Sequence, residues 1–240
     1  MTTITGTLIF NINNSWAGYL PIIPGCNGCN GDDGTFTYTN NPEWYYTNNN
    51  TQVNVPFSFT DNGITNSGFT FQNIPTLQQG RITKIVDFGG IPLSRAIDQF
   101  KDPVNPYNGN FPDDVDNLPT LLSETNVQNL FQGTNFNGNI SLWDINIVNP
   151  KDLSGMFKNA SNFNQNIGSW NITNIINMSN MLTDTALSVE NYDNTLIDWA
   201  FQTVQPNVIL GAEGLEYSST GEVGRNVLIN EQNKWTINGD

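Results

Sequence analysis

At 240 residues, with 37% hydrophobic side chains including six Trp and fourteen Phe, the chain is long enough for one large domain or two modest ones and apolar enough to bury a core. A formal net charge of −14, from 22 acidic against 8 basic residues, repels phosphate backbones and anionic headgroups and excludes direct nucleic-acid binding. With no histidine, Ser-His-Asp and Cys-His catalysis is unavailable, and no apolar run is long enough for membrane insertion.

Only 12% of residues are charged, and polarity comes instead from asparagine, which fills 40 of 240 positions. Asparagine tolerates left-handed backbone and hydrogen-bonds to nearby amides, so this composition predicts many tight turns and little helix. The opening MTTITGTLIFNINNSW has neither a basic start nor a continuous apolar stretch, and nothing in it is expected to direct secretion.

The first 80 residues read as short β-type runs between Asn, Gly and Pro clusters. Thr7 to Ile12 forms one predicted strand, Thr35 to Thr39 a second, Gln52 to Phe59 a third and Gly68 to Phe71 a fourth. In the third, Val53, Val55, Phe57 and Phe59 alternate and share one face, while Pro56 cannot donate to a ladder and argues for an edge strand or a bulge. Cys26 and Cys29 form a C-x-x-C within GCNGCNG. Neither the strand-to-helix setting of a redox motif nor further zinc ligands accompany them, so they are expected at a loop tip, as free thiols or a local disulfide, with no metal. The sum is an antiparallel β-sheet or sandwich over residues 1–80, expected to act as a β-rich attachment domain.

Beyond residue 80 the chain repeats itself. Asn135 to Ile145 (NFNGNISLWDI) aligns position for position with Asn162 to Ile172 (NFNQNIGSWNI). Leu130-Phe131, Met156-Phe157 and Met181-Leu182 recur at about 25 residues, the size of one coil of a leucine-rich solenoid. Phe136, Ile140, Trp143 and Ile145, like Phe163, Ile167, Trp170 and Ile172, are buried only if one coil stacks on the next. The intervening asparagines are expected to form an inward-facing polar ring that satisfies turn amides. Near the end, Asp193 to Phe201 places Leu196, Ile197 and Ala200 at helical spacing, and Ser219-Thr220-Gly221-Glu222 reads as a capping box before Val223, Val227 and Leu228. Two short helices would then shield the last coil, giving a partly helical C-terminal cap over about 190–240.

The run from Met156 to Asn180, MFKNASNFNQNIGSWNITNIINMSN, resembles the BspA-like bacterial surface-protein repeats, a leucine-rich-repeat-like family. Phe157, Ala160, Phe163, Asn164, Ile167, Trp170, Met178 and Met181 sit at that family's repeated positions. Ile82 to Phe100 resembles its irregular entry segment, and Leu196 to Ile237 its terminal cap. The likeness spans about residues 82–240 and is interrupted at Asp102 to Leu118, which is richer in Pro and Asp than a regular coil. It implies adhesion or partner recognition and brings no catalytic residue with it. The expected architecture is mainly β: the N-terminal sheet followed, over residues 81–240, by a short leucine-rich-repeat-like solenoid and its cap.

Chemistry has little to work with. Asp113, Asp114, Asp116, Asp144 and Glu124 are the only clustered carboxylates that could serve a glycan hydrolase, and they mark no shared face. The first three read as a solvated acidic loop. Gly31-Asp32-Asp33-Gly34 and the Asp113 to Asp116 loop offer hard oxygens without EF-hand spacing and read as turns. The expectation is a non-enzymatic structural or binding protein without cofactor. On this reading it is a virion component, such as a capsid decoration or tail-fibre protein; the alternative is a bacterial cell-surface adhesin. Its partners are then shell or tail proteins or a host or cell-surface receptor, and self-association into a homo-oligomer is compatible with both. Trp16, Trp44, Tyr45 and Tyr46 are the candidate partner-binding residues, since aromatic side chains are the usual anchors of protein interfaces.

Overall fold

The computed structural model describes the backbone of six strands within residues 2–87, and residues 121, 125–148 and 151–240. The strands are β1 (Thr2–Ile12), β2 (Trp16–Tyr19), β3 (Thr35–Tyr38), β4 (Glu43–Tyr46), β5 (Thr51–Asp61) and β6 (Ile82–Asp87). Four of them form an antiparallel sheet in the order β3-β5-β1-β6, and β2 pairs with β4 in a separate ladder. The long strands β1 and β5, which are not consecutive in the chain, run in unbroken register from Thr2 opposite Asp61 to Ile12 opposite Thr51. Register therefore sets Ile4, Leu8 and Phe10 opposite Phe59, Val55 and Val53, gathering the alternating apolar positions on one face.

Two expectations change here. The sheet draws β6 from beyond residue 80, in the segment expected to be an irregular entry, with two register shifts against β1. β5 is not an edge strand, but β3 pairs with it only from Phe57 to Thr60. Pro56 thus lies where β5 has no described neighbour on that side, which is how a strand between two others tolerates a residue without an N–H. The strand expected at Gly68 to Phe71 lies outside the described residues.

From residue 125 the chain winds in coils held by backbone hydrogen bonds between equivalent positions. The amides of Asn129, Phe131 and Gly133 donate to the carbonyls of Ser154, Met156 and Lys158, and those of Gly155, Phe157 and Asn159 to Ser179, Met181 and Thr183. Leu182 and Asp184 in turn donate to Gly211 and Glu213. Every second residue bonds forward, as in a parallel ladder, so successive coils stand about 4.8 Å apart. The fourth coil continues as β7 (Ile209–Gly211), which pairs in parallel with β8 (Thr236–Asn238).

This stacking turns the repeated aromatics into columns. Phe131 lies on Phe136 at 3.7 Å between ring centroids, and Phe157 on Phe163 at 3.9 Å, both nearly parallel. The two pairs then stack across coils at 5.8 and 6.1 Å. In the third coil Leu182 and Leu187 take these places and remain buried. Each indole Nε1 of Trp170, Trp199 and Trp235 donates to a carbonyl of the preceding coil, namely Ile140 (2.8 Å), Ile167 (3.2 Å) and Gln205 (2.9 Å). The ring thereby fills the core while its polar edge satisfies a backbone group that no strand pairs.

Two helices replace the extended backs of the third and fourth coils. Helix α1 (Val189–Ala200) starts at the N-cap Ser188, whose hydroxyl accepts from Asn191 N, and buries Tyr192, Leu196 and Trp199. Helix α2 (Ser219–Leu228) starts at the N-cap Ser218. The predicted capping box is not formed: the cap is Ser218, whose hydroxyl accepts from Thr220 N, and Glu222 falls one residue past the box position; Val223 and Val227 face solvent while Leu228 is buried. The helices touch closely: a Cβ on Gly224 would lie 2.6 Å from the Leu196 carbonyl.

Tight turns recur at fixed columns. Asn129, Gly155 and Asn180 occupy one left-handed position of successive coils, and Gly133, Asn159, Asp184 and Gly214 another. A Cβ on Gly155, at φ +64°, would stand 2.0 Å from Asn129 Oδ1. Gly155→Ala is therefore expected to lower stability by about 1–3 kcal/mol, and adding Asn129→Gly should recover the steric part; a urea double-mutant cycle showing no coupling contradicts this. Trp170→Phe, which removes one of the two donors to the buried Ile140 carbonyl and leaves it the Trp143 amide, is expected to cost about 0.5–1.5 kcal/mol by the same measurement.

Candidate interaction surface

The coils present a rim of asparagines whose side chains close turns. Asn126, Asp152 and Asn177 form one column, each accepting from the amide two residues on, at 3.0, 2.7 and 3.0 Å. Asn139 and Asn166 do the same for Ser141 and Gly168, and Asp144 and Asn171 for Asn146 and Thr173. A further ladder runs between coils: Asn137 Oδ1 accepts from Asn164 N and Asn164 Oδ1 from Ser188 N, both at 2.8 Å. These asparagines satisfy turn amides as expected, but Asn137, Asn139, Asn166 and Asn171 are exposed. The expected inward ring is therefore an outer rim, because the stacked Phe and Trp columns leave no room inside for amides.

The carboxylates are similarly tied into the scaffold. Asp144, the one described member of the suggested hydrolytic cluster, is exposed and caps the 3₁₀ turn Ile145–Ile147. Asp193, buried on α1, accepts from both the amide and the hydroxyl of Ser218 at the start of α2. Asp240 makes a two-pronged pair with Arg225, 2.8 Å on each arm, and accepts from Tyr192 Oη at 3.0 Å. The Arg225 guanidinium also lies over the Tyr217 ring at 5.2 Å. Its bonds to Asp240 raise the Arg225 pKa, and burial together with the Asp240 charge pushes the Tyr192 phenol up. Asp152 behaves oppositely: burial opposes its charge, but the hydrogen bonds from Ser154 and Asn177 outweigh burial and hold its carboxyl below the ordinary 3.8.

Among the described residues no group of three or more His, Cys, Asp or Glu side chains could hold a metal, and no helix is long and apolar enough to cross a membrane. Asp113, Asp114, Asp116, Glu124, Gly31 to Gly34, Cys26 and Cys29 lie outside the described residues. The four aromatic candidates all fall on the β2–β4 ladder, with Trp16 opposite Tyr46, Ala17 opposite Tyr45 and Gly18 opposite Trp44. Register puts Trp16, Trp44 and Tyr46 on one face of that ladder and Tyr45 on the other. Sequence reasoning missed Phe201, a largely solvent-facing aromatic that forms the C-cap of α1. The signal was present: in the helical run Phe201 follows Ala200 off the stripe of Tyr192, Leu196 and Trp199.

Residues 104–209 match the model of a family described as Mycoplasma protein of unknown function, DUF285. The matched range contains the first three described coils and ends on the first residue of β7. It is compatible with the surface-repeat resemblance and names no activity. No curated protein and no solved structure matches the chain.

Because the Asp152 pKa is lower in the folded than in the unfolded chain, its contribution to stability is present above the ordinary 3.8 and is lost as pH falls through the folded value. Asp152→Asn is expected to lower stability at neutral pH and to flatten the loss of stability below about pH 4. Urea midpoints measured across that range check it, and an unchanged acid slope contradicts it.

Proposed function

We propose that this chain is a non-enzymatic structural and binding protein that displays a BspA-like, leucine-rich-repeat-like solenoid on the outside of a virus particle, as a capsid decoration or tail-fibre component. What supports this reading is the use of polar groups. Across the described coils, asparagines and carboxylates close turns, cap helices and clamp the terminal helices, which makes a stiff module with a regular outer rim. The antiparallel sheet of β1, β3, β5 and β6 has its own hydrogen-bonded order and is the proposed attachment unit, with the β2–β4 aromatics as its contact residues.

A bacterial cell-surface adhesin is the second reading, favoured by the match of residues 104–209 to a family described from Mycoplasma. The two differ in what the protein is assembled with. Antibody-based fractionation of the native source, followed by mass spectrometry of the co-sedimenting proteins, is expected to recover the chain at fixed stoichiometry with shell or tail proteins. Recovery with envelope markers instead establishes the adhesin, and recovery as a free species contradicts both.

A further inference from the structure

β8 is the last described rung of the ladder that joins the coils, and one of its sides is unused. Thr236 N donates to Val208 O and Ala212 N to Asn238 O, so the backbone groups of Thr236 and Asn238 face β7. Alternation then turns the N–H and C=O of Ile237 away from β7. Among the described residues no strand pairs with that side, and neither group makes a hydrogen bond there. The Ile237 side chain, by contrast, is only 9% exposed and belongs to the core, which holds this stretch of backbone in place.

Sheet edges are ordinarily blunted by proline, by charge, by a bulge or by a covering segment. β8 shows none of these among the described residues. Thr236, Ile237 and Asn238 are uncharged, and their register with β7 runs without a shift. Thr236, Asn238 and the following Gly239 are exposed. The neighbouring charges are tied up or of mixed sign. Asp240, with a side chain 1% exposed, is paired with Arg225, the partly buried Glu213 accepts from Thr183 Oγ1, and the exposed Lys234 precedes the strand.

We propose that this edge pairs with the same edge of a second copy of the chain, antiparallel about a two-fold axis at Ile237. The pattern of donors and acceptors selects this occupant. A residue whose N–H and C=O both point outward forms a complete hydrogen-bonded pair with its own symmetry mate, each Ile237 amide donating to the other's carbonyl. That register sets Thr236 opposite Asn238 of the other copy on both sides of the axis, so the facing positions are uncharged. The net charge of −14 opposes close approach of two copies over most of their surface, and a neutral edge is where they meet without that repulsion. The two ladders then join as one sheet in the order β7-β8-β8-β7. The pairing rests on the ladder alone and holds whether the chain sits on a particle or on an envelope.

Sedimentation of the full chain at rising concentration is expected to show a monomer–dimer equilibrium, with hydrogen exchange at the Ile237 amide slowing as the dimer forms. Charge tests the register. Thr236→Lys together with Asn238→Lys sets like charges across the axis and is expected to weaken dimerisation tenfold or more. Thr236→Glu together with Asn238→Lys sets opposite charges there and is expected to restore it, with a salt dependence that the unaltered chain lacks. Both side chains are exposed, so the monomer's melting temperature is expected to stay unchanged in each. N-methylation of the Ile237 amide, introduced by semisynthesis, removes the outward donor with every side chain retained and is expected to leave a monomer. A chain that stays monomeric up to about 1 mM, growth beyond the dimer, or a dimer that the paired lysines and the N-methyl group leave unchanged overturns the inference.

Discussion

The forward bonding of each coil to the next constrains everything else in residues 125–240. Once Phe131 N donates to Met156 O and Phe157 N to Met181 O, each residue sits about 4.8 Å above its equivalent, and side chains have to be compatible by column rather than one by one. Large rings satisfy this by stacking near parallel, as Phe131 does on Phe157 at 5.8 Å and Phe136 on Phe163 at 6.1 Å. Small polar residues satisfy it by bonding to the backbone they cover, as Asn164 does with Ser188. Charge fits poorly in a column, because like charges would be stacked at the ladder spacing.

The column rule also explains how the stack ends. Phenylalanine gives way to Leu182 and Leu187 in the third coil, and the back of the coil becomes α1. A helix satisfies its own backbone groups, so the next layer no longer has to match it rung by rung. Contact is then made by side chains and close approach, with Gly224 against the Leu196 carbonyl and the buried Asp193 capping α2 through Ser218. The Arg225–Asp240–Tyr192 cluster ties the two helices to the segment after β8.

Much of this was legible in the residues. The alignment of Asn135 to Ile145 with Asn162 to Ile172 states which positions share a column, and the structure bonds Asn164 to Asn137 at that spacing. The two terminal helices followed from apolar spacing and serine caps, with α1 starting earlier than Asp193 because Ser188 supplies the cap. The side on which the asparagines face was not legible, since an Asx turn forms equally well inward or outward and only the ring columns decide. Nor was the pairing of β6 with β1, a contact between residues 70 or more apart that leaves no local periodicity.

At the corner occupied by Asn129, Gly155 and Asn180, the middle of three left-handed residues is the one without a side chain, and a Cβ there would come within 2.0 Å of Asn129 Oδ1. The coils are therefore not interchangeable. A second copy of the coil carrying Asn129 would set side chain upon side chain at that corner, whereas a second copy of the coil carrying Gly155 would not, so the middle coil is the one from which the stack could lengthen with least strain.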